Sequence, residues 1–84
     1  MIDKPIGILD LGSYKIKFLI VSRDKEDFIN IHSKRMIHAS GIKNGNVTDV
    51  LKLSNILKQC IGQAEKEADI ELKEIYVGIS SKDV

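Results

Sequence analysis

A single stretch of helical periodicity lies between segments of strand periodicity, and that order restricts the fold more than any other feature of the chain. Leu53, Ile56, Leu57, Cys60, Ile61, Ala64 and Ala68 fall on one face of a repeat of roughly 3.6 residues. Thr48 or Asp49 stands where an N-cap belongs, and the repeat runs out near Asp69. Ahead of it, Ile6 to Leu11 is a nearly continuous apolar run stopped by Gly12-Ser13, the pattern of a strand buried on both faces of a sheet. Tyr14 to Ser22 alternates, with Ile16, Phe18 and Ile20 on one side and Lys15, Lys17, Leu19 and Val21 on the other. After the charged turn Arg23 to Asp27, a third strand runs from Phe28 to about Ala39, with Lys34-Arg35 its least strand-like part. Beyond the helix, Ile75, Val77 and Ile79 alternate with Tyr76 and Gly78.

A long helical connection is what parallel pairing requires, so the last strand is expected parallel to one of the first three. The predicted order is β-β-β-α-β in a mixed α/β sheet. One helix covers only one face of four strands, whereas a strand apolar on both sides calls for cover on both. More protein is therefore expected than these 84 residues.

Composition narrows the function classes. Thirteen Lys and Arg balance 12 Asp and Glu for a net charge of +1, so gripping nucleic acid by bulk charge is excluded and any electrostatic function is local. Cys60 is the one cysteine, which excludes a disulfide framework and fits a reducing, cytosolic setting. No apolar run approaches the roughly 20 residues of a membrane-spanning helix, and Met1 to Pro5 lacks a secretory layout.

The chemistry-bearing segment is Asp10-Leu11-Gly12-Ser13-Tyr14-Lys15. Backbone N–H groups of Gly12, Ser13 and Tyr14 can converge on an anion, Ser13 adds a hydroxyl, and Lys15 supplies a cation for β- or γ-phosphate. Asp10 can hold Mg²⁺ directly or through water. The spacing is not that of a Walker A loop. The plainer reading is a hairpin in which Gly12-Ser13 supply the turn and Lys15 is solvated, and on spacing alone it is favoured.

Other candidates have stronger structural readings. Gly41 to Val47 can be a second anion loop, but more often such a segment is a turn and cap. His32 and His38 lie six apart in one strand and would share a face, yet no carboxylate or Cys stands at ligand spacing, so they read as surface residues. Cys60 belongs to the apolar stripe. Glu65, Lys66, Glu67, Asp69 and Glu71 read as a solvated helix end. No catalytic pair is visible.

Taken in order, Ile8 to Lys15, Gly41 to Asp49, Ala64 to Ala68 and Ile75 to Ser80 resemble the FtsA family of bacterial cell-division proteins. The first motif is shared across the actin, sugar-kinase and heat-shock ATPase superfamily; the later ones point to FtsA. The resemblance runs along the whole chain but reaches only the amino-terminal part of the family. It implies half of a ribonuclease-H-like, actin-fold subdomain, with Val84 about where the family inserts its extra subdomain. It also implies ATP and Mg²⁺ as cofactors, with Gly12, Ser13, Tyr14 and Lys15 facing the phosphates and Asp10 on the metal side. The implied partners are FtsZ, other division proteins, further copies in actin-like polymers, and the inner membrane through a helix outside this sequence. The implied location is the cytoplasmic face of that membrane at the division site. Ser81-Lys82-Asp83 departs from the family pattern of Gly, a basic residue and His. A pilus-assembly ATPase, a phosphotransferase of the same fold, or a stand-alone docking module without nucleotide are the alternatives. No general base is present, so catalysis is left open.

Overall fold

The computed structural model describes residues 4–12, 14–43 and 46–79. Strands β1 (Ile6–Leu11), β2 (Lys15–Arg23) and β3 (Ile29–His38) form an antiparallel meander. A minimal hairpin of β4 (Ile42–Lys43) and β5 (Asn46–Val47) follows, then α1 (Val50–Ala68) and β6 (Ile75–Ile79). β6 pairs parallel with β1, and the main sheet runs β3-β2-β1-β6. The expected element order holds, with the small β4–β5 hairpin added inside the segment expected as a loop.

The alternation of β2 explains the core. Ile16, Phe18 and Ile20 are fully buried with Leu9 and Leu11 of β1 against Leu53, Cys60 and Ala64 of α1. The helix begins where Asp49, in an extended conformation, accepts a hydrogen bond from the Lys52 N–H at 3.0 Å. It ends at Asp69 in the left-handed conformation, whose N–H turns back to the carbonyls of Glu65 and Lys66. Glu65 then accepts from the Leu72 N–H at 2.8 Å, and Glu67 meets Arg35 of β3 at 3.2 Å. Two carboxylates expected to be merely solvated thus close the helix end and tie the helix to the sheet.

One expectation is corrected. β1 is buried on one face only, because α1 covers one side of the sheet and leaves Ile8 and Asp10 on the other exposed. β3 runs through Lys34-Arg35 as expected of the third strand, and Arg35 faces the helix and finds its counter-charge there. At the other end of β3, the register shifts between Ile20 and Val21 of β2, whose partners are Ser33 and Ile31, so His32 is the extra residue of a bulge.

Candidate phosphate-binding hairpin

Residues directly opposite each other in a sheet project to the same face. The register therefore lays out the face turned away from α1 row by row. Ile6, Val21 and Ile31 make one row, and Tyr76, Ile8, Leu19 and Lys34 the next. Gly78, Asp10, Lys17 and Met36 follow, and Lys15 with His38 completes the face at the β1–β2 hairpin. The face is apolar at one end and charged at the other, and the sequence-predicted site lies at the charged end.

Asp10 and Lys15 thus share a face, one row apart, and both are exposed. The hairpin is closed by the Gly12 N–H donating to the Lys15 carbonyl at 3.0 Å. That bond takes Gly12 out of the expected cluster of free N–H donors, because a group already engaged in the turn is not offered to an anion. Gly12 is required by close approach: a Cβ there would stand 2.7 Å from the Lys15 oxygen. The Tyr14 side chain is exposed, and its carbonyl accepts from the Ala39 N–H at 2.8 Å, tying the turn to the end of β3. Ser13 lies outside the described residues.

The metal side can be tested on the residues themselves. Gly78, the parallel neighbour of Asp10, has nothing within 4 Å of where its Cβ would be, so there is open space beside the carboxylate. Among the described residues no three His, Cys, Asp or Glu gather to hold a metal. One carboxylate with room for water and phosphate oxygens fits Mg²⁺, which is seldom held by an all-protein cage.

The remaining candidates resolve as structure. His32 and His38 are both exposed, but six positions along a strand span roughly 20 Å, too far for one metal. His32 Nε2 instead shares a 2.6 Å hydrogen bond with Ser22 Oγ. Gly41 to Val47 serves as turn and cap, the Gly41 carbonyl accepting from the N–H groups of Thr48 and Asp49 at 2.8 and 3.1 Å, while Asn44 and Gly45 lie outside the described residues. Cys60 is core, and burial pushes its thiol pKa up, partly offset by the Arg35 charge. Lys17 and His38 join Lys15 on the charged end of the face; their signal in the sequence is two-residue spacing for Lys17 and meander register for His38. No described helix is long and apolar enough to cross a membrane.

Solved structures with this arrangement define its class. A member of the Ppx/GppA protein family from Aquifex aeolicus superposes over 94% of this chain and 26% of its own, with a TM-score of 0.61 at 15% identity. A second Aquifex aeolicus PPX-GPPA enzyme structure gives 0.56 at 14% identity, over 94% of this chain and 27% of its own. The fold is therefore that of an actin-like α/β subdomain with a mixed sheet. No family model matches the chain. In sequence it is FtsA-like: the cell-division protein FtsA of Streptococcus pneumoniae serotype 2 is 30% identical over 71 residues, 84% of this chain. FtsA of Neisseria meningitidis serogroup B is 28% identical over 79 residues, 94% of this chain. The chain spans only 15% and 19% of the length of these two relatives.

Proposed function

We propose that this sequence forms the phosphate-facing part of an FtsA-like, actin-fold cell-division protein that binds ATP with Mg²⁺. The observation that carries the reading is the likeness to two FtsA proteins along 84% and 94% of the chain. The hairpin that sets Asp10 and Lys15 on one exposed face supports it. In this reading Lys15 and the Ser13 and Tyr14 backbone face the phosphates, with Gly12 letting the turn close tightly enough to present them. Asp10 holds the metal side, in the open space beside Gly78. When bound, Mg²⁺ neutralises phosphate charge that would otherwise repel the Asp10 carboxylate. The whole protein would polymerise, tie the FtsZ ring to the inner membrane through a helix outside this sequence, recruit division proteins, and work on the cytoplasmic face of that membrane.

The test is Mg-ATP binding by the full-length protein carrying Asp10→Asn or Lys15→Ala. Each variant is expected to lose about tenfold or more in affinity, the scale of a charge-assisted contact. Unchanged affinity in both would sink the nucleotide reading. Co-sedimentation with FtsZ polymers tests the partner separately, and no binding by the wild-type protein would remove the ring-tethering role.

A further inference from the structure

The charged end of the open sheet face is unbalanced. Lys15 and His38 are direct register partners across β2 and β3, so their Cβ atoms lie about 4.5–5.5 Å apart. The next row reads Met36, Lys17, Asp10, which places the face's carboxylate on β1, two strands from His38. The side chains of Lys15, Lys17 and His38 make no hydrogen bond or ion pair among the described residues. Lys15, Met36, Ile37 and His38 line one concavity of about 270 Å³. A lysine beside an exposed imidazole, neither side chain paired with a carboxylate, can take up an anion, and phosphate, with several acceptor oxygens, can take hydrogen bonds from both at once.

We infer that His38 is a further ligand of the terminal phosphates of the nucleotide, sharing them with Lys15. The inference rests on the nucleotide reading above and adds a residue from β3 to a site otherwise built from β1 and β2. It also divides the face: Asp10 repels phosphate and has open space on its Gly78 side for a hydrated cation, while the phosphate end is drawn toward the Lys15–His38 side.

The experiment titrates the full-length protein with Mg-ATP and with adenosine, comparing wild type, His38→Ala, His38→Lys and Lys15→Ala. His38→Ala is expected to weaken Mg-ATP binding about fivefold, the upper scale for one exposed charged contact, with adenosine binding unchanged. His38→Lys is expected to bind Mg-ATP at least as tightly as wild type, because a cation stands in the same place. Wild-type Mg-ATP affinity in His38→Ala, with a loss in Lys15→Ala, would overturn the inference and leave the nucleotide reading standing. No loss in either would remove both. An equal loss of Mg-ATP and adenosine in His38→Ala would assign the effect to the fold and overturn the phosphate contact.

Discussion

The Gly12 N–H donates to the Lys15 carbonyl at 3.0 Å, and a Cβ on residue 12 would stand 2.7 Å from that same oxygen. One atom both closes the hairpin and forbids a side chain. Gly12→Ala is therefore expected to push the turn open and cost about 1–3 kcal/mol, the range for forced overpacking, and to weaken Mg-ATP binding with it. Gly62→Ala is the control. Gly62 lies in α1 with nothing within 4 Å of its would-be Cβ, so alanine there should add about 0.5–1 kcal/mol through helix propensity. Denaturant midpoints of the two variants moving in the same direction would contradict the account.

Gly41 carries a different constraint, with φ at +84° and a would-be Cβ 2.5 Å from the Asp49 carbonyl oxygen. Its own carbonyl receives the N–H groups of Thr48 and Asp49, so the turn into α1 is built around it. Gly41→Ala combines left-handed strain with a backbone collision and is expected to cost more than about 2 kcal/mol. Asp49→Ala, which removes only the cap to Lys52, is expected to cost about 1 kcal/mol. Urea unfolding ranks the two; an Asp49 variant that loses more than the Gly41 variant would reverse the assignment.

Between β3 and α1 lies a polar strip that the core does not need for packing. Arg35 Nη2 meets Glu67 Oε2 at 3.2 Å, Ser33 Oγ donates to Glu67 Oε1 at 3.5 Å, and Arg35 Nε is buried without a partner. Glu67→Ala leaves a half-buried guanidinium with still fewer acceptors and is expected to cost about 1 kcal/mol. Adding Arg35→Met removes the unpaired donors while keeping an apolar stem, so the double variant is expected to recover part of that loss. A double variant less stable than Glu67→Ala alone would show that Arg35 stabilises through contacts other than Glu67 and would contradict this account.

The parts of this fold legible in the sequence are those set by local period. Ile16, Phe18 and Ile20 announce β2, and the Leu53 to Ala68 stripe announces α1, because burying one face needs the same spacing whatever lies opposite. What was not legible depends on partners distant in the chain. The apolar run of β1 has the pattern of a strand buried on both faces, yet Ile8 is 38% exposed, since burial is decided by what covers the sheet and not by the strand. Arg35 looked unlike a strand residue because its counter-charge, Glu67, sits on another element. The bulge at His32 exists only in the pairing of β3 with β2. At the candidate site, the motif singles out Asp10 and Lys15, and the register sets them on one face; spacing alone cannot report that the Gly12 N–H is spent on the turn or that His38 arrives beside Lys15.

Cys60 offers a test of the core that is independent of nucleotide. It is 2% exposed on the sheet-facing stripe of α1, and burial is the larger influence on its thiol, raising the pKa, while the Arg35 charge partly lowers it. The thiolate is the reactive form, so an aromatic disulfide reagent at neutral pH should modify native protein slowly and urea-unfolded protein rapidly. The pH dependence has a definite sign. A thiol whose pKa is higher folded than unfolded keeps its proton longer in the native state, so its contribution is intact below the ordinary thiol value and declines as pH rises above about 8.5. Wild type is therefore expected to lose stability relative to Cys60→Ala between neutral pH and the raised folded value, on top of the alanine variant's pH-independent packing loss. A constant difference between the two across that range, or equal labelling rates folded and unfolded, would place Cys60 in contact with water and undo the assignment of the helix face.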